Sequence, residues 1–155
     1  MWLYLNASGM DIHFRINDYE PSTEDDWYVQ WCRCDYSFQF RNYLNYQKST
    51  DEVLLSCEVE GLEEALTKIL RDQILEISEL SFAEPDFKFI LHPKRDKRKD
   101  GVICRSGTEI ADIYLEWKIY FWDDGLTDNH FTVVLSRNGI RAFRDYLSDV
   151  IRPKM

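Results

Sequence analysis

Ile113-Tyr114-Leu115-Glu116-Trp117-Lys118-Ile119-Tyr120-Phe121-Trp122-Asp123-Asp124-Gly125 is the stretch that decides the fold class. Ile113, Leu115, Trp117, Ile119 and Phe121 alternate with Glu116 and Lys118, the period of a strand with one buried face. Asp123-Asp124-Gly125 turns the chain back into Phe131, Val133 and Leu135, so a hairpin is expected. Ser136 then offers a side chain able to cap a helix, and Ile140, Phe143, Leu147 and Val150 or Ile151 recur at helical spacing until Pro153 stops it. A hairpin running into an amphipathic helix over about 137–151 points to α+β.

The first half of the chain repeats that order. Met10, Ile12, Phe14 and Ile16 alternate with Asp11, His13 and Arg15, a second half-buried strand. From Trp27 to Trp31 the odd positions are apolar, and from Cys32 to Phe40 the even ones are, which predicts a bulge or bend near Trp31–Cys32. Val53-Leu54-Leu55 leads to Ser56, read as a cap, and a helix over about 57–72. Val59, Leu62, Leu66, Ile69 and Leu70 form its apolar stripe. Glu58, Glu60, Glu63 and Glu64 crowd its first turns while Lys68 and Arg71 come later, the polarity that a helix dipole favours. Leu80 and Phe82, then Phe87, Phe89 and Leu91, flank Glu84-Pro85 as a strand pair or one broken strand. Asp100-Gly101 reads as a hairpin turn into a strand near Val102–Cys104. The expected architecture is an antiparallel sheet, curved or in two layers, covered by two helices in a single domain over residues 1–155. A duplication is conceivable, but the only repeated tokens are Glu20-Pro21 and Glu84-Pro85.

Composition bounds the function. The chain has 155 residues, 45% hydrophobic and 30% charged, which is globular. At this length about two-thirds of the unfolded surface is buried, enough for a core without disulfides or metals. Nineteen bases against 28 acids give a net charge of −9. Nucleic acid and anionic lipid are therefore disfavoured as partners, and a basic protein is favoured. Residues 94–100 hold five bases and two acids, so the rest of the chain carries −12. Met1-Trp2-Leu3-Tyr4-Leu5-Asn6 lacks the basic and apolar regions of a signal peptide, and no apolar run spans a bilayer. A cytoplasmic location with free Cys32, Cys34, Cys57 and Cys104 is expected.

Few residues suggest catalysis. Cys32 and Cys34 share a strand face and are either half a metal site or small hydrophobes among Tyr36, Phe38 and Phe40; the second reading is taken. His13, His92 and His130 lack a partner nucleophile in any known signature, and His13 and His130 fall on outward strand phases. Six scattered glycines exclude a phosphate loop. The carboxylates of Asp123–Asn129 do not match a calcium-loop register. The basic stretch Lys94–Lys99 reads as a solvated connection. No catalytic residue, cofactor or metal is expected. The acidic loop Glu20–Asp26, flanked by Tyr19, Trp27 and Tyr28, is either an ordinary solvated loop or a docking segment in which carboxylates steer and aromatics anchor. Tyr19, Glu20, Glu24, Asp25, Asp26 and Tyr28, with Asp123, Asp124 and Asp128, are the candidate protein contacts.

The order of elements adds a resemblance. Tyr19-Glu20-Pro21, an acidic spacer, Asp26-Trp27, Leu54-Leu55-Ser56-Cys57-Glu58, Phe82-Ala83-Glu84-Pro85-Asp86-Phe87-Lys88-Phe89 and Leu135-Ser136 follow one another as in the WapI-type immunity proteins, which this chain resembles from about Tyr19 to Leu147. The resemblance implies a small bacterial cytoplasmic protein, without enzymatic activity, that neutralises the toxic C-terminal domain of a large toxin. Many such toxins are nucleases with basic surfaces, which an acidic protein can occupy. Two other readings remain: a small-molecule-binding or enzymatic sandwich with an aromatic pocket, and a general interaction domain.

Overall fold

The computed structural model describes residues 1–25 and 30–154. Its elements run β1 (Leu3–Ala7), β2 (Met10–Asn17), β3 (Trp31–Phe40), β4 (Leu44–Leu55), α1 (Ser56–Leu70), β5 (Ser78–Ser81), β6 (Phe87–His92), β7 (Arg95–Asp96), β8 (Ile110–Ala111), β9 (Tyr114–Trp122), β10 (Leu126–Ser136) and α2 (Arg137–Ile151). All pairings are antiparallel. β1-β2-β3-β4 form one four-stranded sheet, β10-β9-β6-β5 a second, and β7-β8 a small ribbon. The α+β class and both helices agree with the sequence reading.

Each half is thus a four-stranded meander closed by a helix. The second half differs by the ribbon inserted between β6 and β9. Glu20-Pro21 lies between the second and third strands of its half, whereas Glu84-Pro85 lies between the first and second. The repeated dipeptide is therefore not a remnant of equivalent positions.

Alternation along the strands directs one face of each sheet inward. Phe14 pairs with Tyr36, and Ile12 with Phe38, in the first sheet. Phe89 pairs with Trp117, and Trp117 with Val133, in the second. The sheets touch where Phe38 meets Phe131 (5.4 Å between ring centroids) and Tyr46 meets Phe121 (5.0 Å). Farther along, α2 inserts Phe143, stacked on Trp117 at 5.0 Å and edge-on to Phe14 at 5.9 Å. Aromatic pairs at these separations add roughly 0.5–1.5 kcal/mol each beyond the area they bury. Tyr146 ties α2 to the first sheet: its hydroxyl accepts from the Ile16 N–H (2.9 Å) and donates to the Met1 carbonyl (3.0 Å). The helices run antiparallel, since Glu63 on α1 accepts from Ser148 and Arg152, and Arg137 donates to the Leu70 carbonyl.

Several expectations need correction. The strand near Val102–Cys104 does not form. Lys97–Asp100 is a 3₁₀ turn, started by the Asp96 carboxylate accepting from the Arg98 N–H (3.0 Å) and ended by Gly101 at φ 76°. Val102 and Ile103 are consequently left in solvent. Ser56 does not cap α1: it is the first helical residue, its hydroxyl lies 3.5 Å from the Cys32 thiol, and the Glu58 carboxylate reaches back to the Leu55 N–H (2.8 Å) instead. Ser136 does occupy the N-cap position of α2, but its hydroxyl makes no capping bond. The irregularity expected near Trp31–Cys32 is present between Cys32 and Arg33, but its extra residue is Val53 on β4. Residues Trp27 to Val29 of that argument lie outside the described residues. β1 and β4 were not expected from the sequence.

Candidate functional site

The β2–β3 connection leaves the sheet at Asp18, which adopts φ 58°, a conformation more accessible to Asp and Asn than to most side chains. That reversal lays the chain against α1. Glu60 then acts as a clamp: its carboxylate accepts from the Tyr19 hydroxyl (2.6 Å), the Ser22 N–H (3.0 Å) and the Ser22 hydroxyl. Burial alone raises the pKa of Glu60, but the Ser22 and Tyr19 donors outweigh it and hold the carboxyl below its usual value. Burial first, and then the Glu60 charge, push the Tyr19 phenol far above its ordinary value, so it stays a donor. The Thr23 N–H donates to the Gln30 side chain (3.2 Å), and the Gln30 carbonyl accepts from the Ser56 N–H (2.8 Å). The loop is shaped by specific bonds at both ends.

Two depressions flank this loop. Asp18, Glu20, Gln30, Arg33 and Glu52 line a polar groove of about 300 Å³. Tyr19 lines a more apolar one of about 470 Å³ with Met1, Ile16, Val150 and Pro153. Arg33 approaches Asp18 at 4.0 Å. Glu20, Glu24, Asp25 and Glu52 are exposed and make no ion pair among the described residues. Unpaired carboxylates beside an aromatic and an apolar hollow suit a basic protein surface with a protruding apolar side chain.

Of the sequence-derived contacts, Tyr19, Glu20, Glu24 and Asp25 gather here. Asp26 and Tyr28 lie outside the described residues. Asp123, Asp124 and Asp128 are exposed at the β9–β10 hairpin, elsewhere on the molecule. Their neighbour Trp122 lies under Lys48, which is opposite Tyr36, whereas the Glu60 clamp sits by the Trp31–Leu55 end of the same strands. Five residues of β3 separate those levels, roughly 17 Å at about 3.4 Å per residue. Sequence reasoning missed Asp18, Glu52 and the role of Glu60. Glu52 faces Arg33 across a strand that was not foreseen. In the sequence Glu60 reads only as a dipole-favoured acid, and nothing there links it to Tyr19, 41 positions away.

The other chemical candidates resolve into packing. Cys32 and Cys34 are fully buried and unbridged, and burial raises both thiols, Cys32 to about 11. His13, His92 and His130 each pair across strands with a tyrosine: Tyr4, Tyr114 and Tyr120. His92 Nε2 also lies 2.7 Å from a Glu116 carboxylate oxygen. Among the described residues no Ser or Cys is hydrogen-bonded to a histidine, and no three potential metal ligands converge. Phe14, Tyr36, Phe38, Phe87, Phe89, Trp117 and Phe143 pack on one another in the core, whereas Tyr4, Tyr43, Tyr114 and Trp122 are exposed. Among the described residues no helix is long and apolar enough to cross a membrane.

A sequence model of the immunity protein WapI-like family matches residues 3–153. No curated protein matches the chain.

Proposed function

The chain belongs to the immunity protein WapI-like family, and from that premise we propose that it is a non-enzymatic, cytoplasmic protein that binds the toxic domain of a cognate bacterial toxin and blocks it by occupying its working surface. The observation that supports this reading is the clamped acidic loop: Glu20 lines the polar hollow next to Tyr19, and Glu24 and Asp25 are exposed farther along the same loop with no ion pair among the described residues. A nuclease domain is the toxin class that suits such a surface best, because its phosphate-binding face is basic. Opposite charge raises the encounter rate, and burying Tyr19 and its apolar neighbours slows release. One core shared by both sheets and both helices supports treating residues 1–155 as one binding unit.

Co-expression tests the reading. Cells producing the toxin domain encoded beside this gene should survive when the chain is present at verified levels; death despite its expression refutes it. Reversing Glu20, Glu24 and Asp25 to Lys should slow association and flatten its salt dependence. An unchanged on-rate at low salt removes this loop from the interface.

A further inference from the structure

The acidic loop has a topological counterpart. Residues 18–30 join the second and third strands of the first meander, and residues 93–113 join the second and third strands of the second. Because α1 and α2 are antiparallel, the two connections emerge at opposite ends of the helix pair. Glu60 holds the first near the start of α1, and Asp72 meets Lys94 just past its end. The 12 residues from Glu60 to Asp72 make that separation about 18 Å. The charges are opposed: residues 18–30 contain five acids and no Lys or Arg, while 93–113 contain six bases and four acids.

The second connection is a built arm. β7 pairs with β8, the Lys97 N–H donates to the Glu109 carbonyl (2.8 Å), and Val102 bonds back to Lys97. This framework presents Ile103 at 99% exposure, with Val102 beside it. At the base of the arm a pocket of about 210 Å³ is lined by Leu75, Ile77, Ala111 and Tyr114, and its charged lining is Lys94 and Arg95 against the single carboxylate of Glu76. Leu75 is 84% and Ile77 64% exposed. Lys97, Lys99 and Arg105 form no ion pair among the described residues, and those of Lys94 and Arg95 are exposed pairs of small worth. An apolar patch with basic neighbours, on a protein of net charge −9, is not a solubility feature.

We propose that the arm and its basal pocket form a second contact surface for the toxin domain, one that takes an acidic segment carrying an apolar side chain; this rests on the function proposed above. The apolar side chain enters between Leu75, Ile77 and Tyr114, and the neighbouring carboxylates face Lys94 and Arg95 or the free bases of the arm. A lipid surface fits less well, because the bases of the arm are interleaved with Asp96, Asp100, Glu109 and Asp112 and form no continuous basic face for an anionic plane, whereas a short segment can address single bases. A concave pocket also suits a side chain better than a bilayer.

The test uses the full chain and an inactivated toxin domain from the neighbouring gene. Leu75→Asp and Ile103→Asp change exposed side chains, so urea midpoints should stay at the wild-type value. Dissociation should quicken roughly tenfold or more for Leu75→Asp, the effect of losing an anchor. The triple variant Lys97→Glu, Lys99→Glu, Arg105→Glu should associate more slowly at low salt and converge on wild type at high salt. Wild-type rates in all these variants overturn the arm proposal and leave the function reading standing. Failure of the wild-type chain to bind overturns both. Toxin binding that persists while the variants lose self-association, or lose binding to anionic vesicles, assigns the arm elsewhere and also overturns it.

Discussion

Glu60→Ala isolates the clamp that shapes the acidic loop. The wild-type carboxylate accepts three bonds, from the Tyr19 hydroxyl, the Ser22 N–H and the Ser22 hydroxyl. Bonds to a buried charged acceptor contribute about 1.5–3 kcal/mol each. Glu60 is only half-buried and the freed donors can hydrate, so about 1 kcal/mol per bond is the appropriate scale, or about 2–3 kcal/mol for the site. That loss falls on local opening more than on global unfolding. Hydrogen exchange at the Ser22 amide should therefore speed up roughly 30- to 150-fold, at about 1.4 kcal/mol per factor of ten. Amides in β9 should hold their protection at low denaturant. The carboxyl pKa is lowered from 4.5 in the folded chain, so the contribution is complete above pH 4.5 and is lost as pH falls through the depressed folded value. In wild type, Ser22 protection should be flat near neutrality and decline only in acid. In Glu60→Ala that acid-dependent step should disappear. Equal Ser22 protection in wild type and variant at pH 7 would refute the clamp, and with it the claim that the loop is presented in a set shape.

Other expectations concern the core. Tyr146→Phe removes the acceptor of the buried Ile16 N–H and the donor to Met1, which should cost about 1–3 kcal/mol at an unchanged urea m-value. The melting temperature should fall by roughly 2–4 °C per kcal/mol, and an unaltered urea midpoint contradicts that role. A thiol reagent should titrate four cysteines in denatured, unreduced protein but, when native, react fastest with Cys104, more slowly with half-buried Cys57, whose pKa is raised by burial and by the Glu58 and Glu60 charges, and least with Cys32 and Cys34, which are fully buried with raised pKa values. Four fast native thiols contradict the packing described.

β9, β10 and both helices were legible because each buries one continuous face, and burial writes a period of two or of 3.6 into the side chains. β4 was not. Its bulges, with Val53 unpaired and residues 49 and 50 both opposite Asp35, interrupt the alternation that identifies a strand. The Val102–Cys104 misreading has a related cause: an Asp-Gly pair marks a turn but leaves its type open. Here Asp96 capping Arg98 selected a 3₁₀ turn.

Charge and periodicity, which are local properties, were sufficient for the α+β class, the two helices and the acidic loop with Tyr19, Glu20, Glu24 and Asp25. Pairing over long separations decided the rest. It joined Tyr19 to Glu60, set Asp18 and Glu52 beside the loop, and kept Asp123, Asp124 and Asp128 apart from it. It also placed the exposed basic stretch on an arm topologically equivalent to the acidic loop, at the other end of an antiparallel helix pair. A composition records how many charges a chain has, but only the packed sheets and helices determine which of them face a partner together.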